Sequence, residues 1–399
     1  MTSGDQSFLK MLHRAAASAE EVVDGARRTA WRASGRHQPR QIVAYQGYAD
    51  ATSLRVMGRV LANRPSGGPL DDDGWWKNII NTWRRWESDE VPFAEVMLRF
   101  EGIELAVTAD EEGYYHAEFP LPPLTGDSLG WVKVHASTGS GGDEVTAVHE
   151  VMRTPTAAAF GIISDLDDTV IHTGITSLLL AAKLTFLENA KTRKPLEGVA
   201  GLYQALQSGH AGWPRNPLFY ISSSPWNLHD LLVDFLRLNE IPPGPILLRD
   251  IGIDRTKFIK EKGHGHKREK ALDLLDSFPD LPFVLIGDSG QEDPSIYAEV
   301  ATLRSGRILA IYIRDIDPEF DTERDTAVHR AVEQSAAAGV PMILARDSRM
   351  IAEHARGLGL IPASAVGEVR TEVVADQSRP ETGAQSLQDA VESLVAEEP

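Results

Sequence analysis

The chain of 399 residues is long enough for two or three domains, and its 42% apolar content is that of a globular protein with buried cores. It has no cysteine, which excludes disulfides and thiolate metal sites and fits a reducing compartment. Its 40 basic and 58 acidic residues give a formal charge of −18, which argues against broad nucleic-acid binding through phosphate neutralisation. No apolar run has the length of a signal-peptide core or of a bilayer span, so the expectation is a cytoplasmic protein without a transmembrane segment.

Residues 1–40 read as a basic helical segment. Phe8, Leu9, Met11, Leu12, Val22, Val23 and Trp31 supply an apolar face, and seven basic residues stand against four acidic ones. Such a helix either packs on its own domain or lies on an anionic membrane, peripheral to it. Over residues 41–152 the pattern changes to short strands: Ile42–Tyr48, Leu54–Leu61, Glu95–Phe100, Ile103–Thr108, Tyr114–Phe119, Trp131–His135 and Val145–Val151. These predict an antiparallel β-sandwich, with Glu101-Gly102 at hairpin spacing. Within it, Trp75–Trp86 reads as a helix packed over the sandwich, or as an aromatic surface for a ligand.

Over residues 155–362 the chain alternates strand and helix. Phe160–Ser164, Leu218–Ser222, Phe283–Ile286 and Ile308–Ile313 are short apolar strands, with helices notably at Trp226–Asn239 and Lys267–Ser277. This is the grammar of a parallel α/β sheet with crossover helices. Gly339–Leu344 adds a final strand, followed by a helix to about Gly357. Residues 363–399 read as an acidic tail without fixed structure, apart from a short helix near Leu387–Val395.

Chemistry gathers at the ends of those apolar strands. Phe160–Ile163 delivers Asp165, Asp167, Asp168 and Thr169 where ligands collect in open α/β sheets. Crowded carboxylates repel unless a cation sits among them, and hard divalent ions take oxygen ligands. An aspartate there can also act as a nucleophile while its neighbour moves protons. The competing reading is an Asp-rich helix N-cap. Ser222 is the first polar residue after the second strand, either a phosphate hydrogen-bonding hydroxyl or an ordinary cap. Asp288 follows the third strand and Gly287, with Asp293 on the next loop. Lys267 opens a helix leading into that strand, and Lys257, Lys260, Lys262 and Lys270 compete for its role as a cation beside the acids. His264 and His266 sit in a Gly-rich loop and read as solvent-exposed rather than metal-bound.

The set DLDDT at 165–169, Ser222, Lys267 and GDSGQED at 287–293 resembles the four motifs of the haloacid dehalogenase-like phosphatases, in the family's chain order. SDLDDTV, YISSSPWNL, LIGDSGQEDPSIYAE and IYIRDI are more narrowly similar to the catalytic domain of the actin-patch-associated, Mg²⁺-dependent phosphatidate phosphatases, over roughly residues 155–345. The resemblance implies a Rossmann-like parallel sheet and a Mg²⁺-dependent phosphomonoesterase that converts phosphatidate to diacylglycerol at a membrane surface. It implies Asp165 as nucleophile, Asp167 as the acid and base, and Ser222, Thr169 and Lys267 as holders of the phosphoryl group. Asp165, the Asp167 carbonyl, Asp288 and Asp293 would form the Mg²⁺ site. An apolar stretch at Ile175–Phe186 reads as an acyl-chain acceptor or as a core helix.

GDSG at 287–290 is also a serine-protease signature, and TAVH stands at 146–149. The α/β context and the absence of an all-β double barrel exclude that reading, leaving Ser289 a turn residue. Two alternatives to a phosphatidate phosphatase stay open: a phosphatase of a soluble phosphomonoester, and a scaffold protein with a vestigial site.

Overall fold

The computed structural model describes residues 40–50, 52–62, 90–121, 129–139, 141–166, 197–249, 265–289, 292–315 and 323–377. The basic segment 1–39, the tryptophan-rich stretch, the apolar stretch at 175–186 and the tail from 378 lie outside the described residues. So do Asp167, Asp168, Thr169, Lys257, Lys260, Lys262 and His264.

The seven expected strand runs appear as eight strands of one sheet: β1 (Arg40–Ala44), β2 (Gly47–Ala49), β3 (Ser53–Ala62), β4 (Glu95–Phe100), β5 (Ile103–Thr108), β6 (Tyr114–Pro120), β7 (Gly130–Thr138) and β8 (Val145–Arg153). The expected run from Ile42 to Tyr48 is broken at Tyr45 and Gln46, which separate β1 from β2. Both of these short strands pair with β3 on the edge opposite β6. All pairs are antiparallel except β2 with β8. Glu101 (φ 48°) and Gly102 (φ 83°) turn β4 into β5, the two left-handed residues that a tight hairpin needs. The sheet folds over so that β1 lies against β7 and β8, and β5 approaches β6. Alternation then buries one face: Val96, Leu98 and Phe100 of β4 meet Tyr115, Ala117 and Phe119 of β6 in a single apolar core.

The second sheet is wholly parallel and six-stranded. Its strands are β9 (Gly161–Asp165), β10 (Leu218–Pro225), β11 (Ile246–Arg249), β12 (Phe283–Asp288), β13 (Ile308–Arg314) and β14 (Met342–Ala345), in the order β11-β10-β9-β12-β13-β14. The helices are α1 (Val199–Ser208), α2 (His229–Leu238), α3 (Gly265–Ser277), α4 (Asp293–Leu303), α5 (Glu323–Ala337), α6 (Ser348–Gly357) and α7 (Ala363–Gln377). Alternate residues of each strand serve two cores. Ile162, Tyr220, Ile286 and Tyr312 pack with α1, α2, α6 and α7, while Ile163, Phe219, Leu285 and Ile311 pack with α3, α4 and α5. A sheet covered on both faces has no polar side, which is why its strands read as continuous apolar runs.

Three elements depart from the expectations. Trp226–Leu228 is a 3₁₀ turn and the α-helix starts only at His229. Asp293 is the first residue of α4 rather than a loop residue. Residues 363–377, read from their charge as the start of the tail, form α7, because Ala365, Val369 and Val373 give it an apolar stripe at helical spacing that packs against α1. The carboxylates of Glu372 and Asp376 on α7 accept hydrogen bonds from the backbone N–H groups of Gly201 (2.6 Å) and Gly198 (2.9 Å) at the start of α1. The acidic charge that suggested a tail thus caps a helix N-terminus.

The two sheets meet through aromatic side chains. Tyr45, which follows β1, packs at 4.5 Å on Trp226 and 4.9 Å on His229, while Tyr48 of β2 meets Phe219 edge-on at 5.6 Å. Met152 of β8 is buried in the α/β core. Among the described residues no helix is long and apolar enough to cross a membrane.

Candidate active site

In the parallel sheet the chain runs from β9 outward through β10 to β11, then returns to β12 beside β9 and continues through β13 to β14. The direction therefore reverses between β9 and β12, and the crevice outside their carboxyl ends is where an open α/β sheet binds ligands. Asp165 ends β9 and Asp288 ends β12. Both expected acids stand at the reversal point.

Lys267, in the first turn of α3, reaches into this crevice although its side chain is 1% exposed. Its Nζ lies 2.8 Å from Oδ1 of Asp165 and 3.0 Å from Oδ1 of Asp293. Both carboxylates are buried, at 2% and 0%. A lysine is almost never buried so deeply without such partners. Of its expected competitors, Lys270 stands one turn further along α3, and the other three lie outside the described residues. The other oxygen of Asp293 accepts a hydrogen bond from the Asp288 backbone N–H at 3.3 Å, which ties α4 to the end of β12. Gly287 makes this approach possible. A Cβ there would stand 2.6 Å from Asp293 Oδ2 and 2.9 Å from the buried Tyr297 ring.

Oxygens of Asp165, Asp288 and Asp293 lie within 4.8 Å of one another. Three carboxylates with no nitrogen or sulfur donor form a hard set, suited to an ion that prefers oxygen. Lys267 alone leaves two of the three negative charges uncompensated. The residues present therefore fit a divalent cation. His266, half-buried on α3, is not part of this group.

Ser222 follows Ile221, the register partner of Asp165, so it stands at the same edge, fully buried. Its hydroxyl accepts a hydrogen bond from the Ser224 backbone N–H at 3.0 Å, which curls the chain after β10. Pro225 and the Trp226–Leu228 turn then lead into α2. Asp167 and Thr169, expected at this site, lie outside the described residues.

A second buried pair, with no counterpart among the expectations, stands behind Asp165. The hydroxyls of Ser164 and Tyr203 are 2.6 Å apart, and Ser164 Oγ also donates to the Asp165 carbonyl at 3.0 Å. Burial, and secondarily the nearby Asp165 charge, push the Tyr203 hydroxyl up to about 12, so it remains a neutral donor. Tyr203 lies on α1, in the stretch between the first two motifs where only an apolar helix at 175–186 had been foreseen.

The protease reading is closed by geometry. His149 is fully buried in the antiparallel sheet, with Nδ1 3.0 Å from the Tyr45 carbonyl and Nε2 2.8 Å from the Tyr115 hydroxyl. Ser289 sits beyond β12, with its N–H on the Arg314 carbonyl at 2.8 Å.

Residues 160–315 match the family model described as the catalytic domain of phosphatidate phosphatase APP1. That segment belongs to this catalytic-domain family. The match starts at the apolar run before Asp165 and ends just after β13, so it takes in Ser222, Lys267, Asp288 and Asp293. Phosphatidate phosphatase APP1 of Saccharomyces cerevisiae is 33% identical over 155 residues, 39% of this chain and 25% of that protein. An uncharacterized protein of Schizosaccharomyces pombe is 33% identical over 160 residues, 40% of this chain and 26% of that one. The matches thus span about a quarter of the length of these two relatives. Among solved structures, a carbohydrate acetylesterase from Xanthomonas citri aligns with a TM-score of 0.28 at 9% identity, over 74% of this chain and 65% of that one.

Proposed function

We propose that the chain is a Mg²⁺-dependent phosphomonoesterase of the haloacid dehalogenase-like type, with phosphatidate as its substrate and an aspartyl-phosphate intermediate. The observation that carries this reading is the buried Asp165–Lys267–Asp293 set beside Asp288 at the reversal point of the sheet. The yeast relative, matched over a quarter of its length, bears the name of a phosphatidate phosphatase.

In this reading a carboxylate oxygen of Asp165 attacks phosphorus in line with the ester oxygen. The P–O bond to the alcohol breaks, and Asp167 gives its proton to the departing alkoxide. Asp167 then takes a proton from the water that attacks the acyl phosphate, which releases inorganic phosphate and restores Asp165. Lys267, Ser222 and Thr169 hold the phosphoryl oxygens. Ser164 and Tyr203 hold the Asp165 backbone. Asp165, the Asp167 carbonyl and Asp288 would ligate Mg²⁺, with Asp293 supporting them. The ion would neutralise charge on the transferring phosphoryl group, where catalysis of this chemistry chiefly arises.

Phosphate release from a panel of phosphomonoesters, including short-chain phosphatidate in detergent, tests the reading with Mg²⁺ and with EDTA. Mg²⁺-dependent release that prefers phosphatidate is expected. Release from soluble esters alone would keep the chemistry and discard the lipid, with its placement of the protein at a cytoplasmic membrane surface. No release at all would favour a scaffold role.

A further inference from the structure

The strand ends carry a second regularity that the carboxylates do not explain. β11, β13 and β14 each lead into an Arg-Asp pair: Arg249-Asp250, Arg314-Asp315 and Arg346-Asp347. All three arginines therefore stand at the carboxyl edge of the sheet, the edge that holds Asp165 and Asp288. Arg314 is the parallel register partner of Asp288. Arg249 and Arg314 belong to strands two places to either side of β9, about 10 Å away at ordinary strand spacing. Both are half-buried, whereas Arg346 is exposed and one strand further out.

Among the described residues neither the Arg249 nor the Arg314 guanidinium has a hydrogen bond or an ion pair, in a chain with an acidic excess of 18. Arginine out of full solvent contact ordinarily has an anionic partner. Strand parity puts Arg314 on the face shared with Tyr312 and α1, and its charge is close enough to act on the Tyr203 hydroxyl, as Asp165 does. Charge balance supplies the reason for an anion. The three site carboxylates and Lys267 sum to a formal −2. A divalent ion would bring that sum to zero, and a phosphomonoester dianion would return it to −2. Guanidiniums beside the crevice offset that remainder locally, and a phosphodiester monoanion leaves less for them to offset.

We propose that Arg314 and Arg249 are substrate-binding residues that flank the acidic crevice and select the phosphomonoester dianion over monoanionic phosphodiesters. This rests on the phosphatase reading of the same crevice. Planar guanidiniums suit phosphate oxygens, and each such contact is charge-assisted.

Calorimetric titration of inorganic phosphate and of dimethyl phosphate into the Mg²⁺-supplemented full chain tests it. The proteins compared are the wild type, Arg314→Gln, Arg249→Gln and the outer-strand control Arg346→Gln. The wild type binds phosphate well and dimethyl phosphate poorly. Arg314→Gln and Arg249→Gln each weaken phosphate about tenfold, close to 1.4 kcal/mol, and narrow the preference over dimethyl phosphate. Arg346→Gln leaves both unchanged, and unfolding temperatures stay at the wild-type value. Unchanged phosphate affinity in Arg314→Gln and Arg249→Gln overturns the inference while the phosphatase reading stands. Weakened affinity with a lowered unfolding temperature also overturns it, since the arginine would then be structural. A wild type that binds no phosphate overturns the phosphatase reading itself.

Discussion

Arg59 of the antiparallel sheet donates from its guanidinium to the side-chain oxygen of Asn227, 3.1 Å away in the turn after β10. The same guanidinium donates to the Glu112 carbonyl at 2.9 Å and to Glu90 at 3.0 Å, and lies 4.4 Å over the Tyr114 ring. An arginine fixed on so many sides loses little further freedom in gripping Asn227. Arg59→Met is expected to destabilise the protein by about 2 kcal/mol. Combined with Asn227→Ala, it should show a coupling of at least about 0.5 kcal/mol by chemical denaturation, since the two side chains touch. Strict additivity would mean that the sheet does not hold this turn.

Lys267 stands between two buried carboxylates, so its removal leaves both unbalanced. Lys267→Met is expected to cost about 3–5 kcal/mol without metal. Mg²⁺ should restore part of that loss by binding the folded state alone. Thermal unfolding with EDTA and with Mg²⁺ checks this. A variant as stable as the wild type in EDTA would show that the lysine is not needed there.

Gly287→Ala places a methyl group against Asp293 and Tyr297, both fixed by their own hydrogen bonds. The overpacking should cost about 1–3 kcal/mol and push Asp293 away from the Asp288 backbone. Weaker stabilisation by Mg²⁺, read as a smaller rise in unfolding temperature, is the expected signature. A normal Mg²⁺ response would show that the glycine serves packing alone.

Burial lowers the His149 imidazole from 6.5 to about 4, and the neighbouring His229 adds to the shift. The neutral ring donates from Nδ1 to the Tyr45 carbonyl and accepts from Tyr115 at Nε2. The unfolded chain takes up a proton first on acidification. Stability is therefore complete above pH 6.5 and is lost as pH falls towards 4, by about 3 kcal/mol. His149→Gln keeps an amide in place and should flatten the stability curve between pH 6.5 and 4. An unchanged slope would assign that acid sensitivity to other groups.

The parallel sheet and its acids were legible because strands buried on both faces are uninterrupted apolar runs, and each acid follows such a run directly. Lys267 was one of five candidate lysines, and only the family pattern singled it out, since a lysine in a helix of low hydrophobicity gives no sign of being buried. The Ser164–Tyr203 pair was out of reach because its partners are 39 residues apart and meet only when α1 packs on β9. α7 was misread because its acidic residues suggested solvent, whereas Glu372 and Asp376 face the N-terminus of α1. No sequence pattern marks Arg59 as a link between the sheets, because its partner in the turn after β10 lies 168 residues away.

The most direct test of the central claim is chemical identification of the group that receives the phosphoryl. The enzyme is mixed with excess phosphomonoester and Mg²⁺, quenched in acid within the first turnover and reduced with borohydride. An acyl phosphate on Asp165 is converted to homoserine, which peptide mass spectrometry locates at position 165. Homoserine there, absent without substrate and in Asp165→Asn, is the predicted result. Turnover without any reduced residue at 165 would contradict the nucleophilic role of Asp165 and the account built on it.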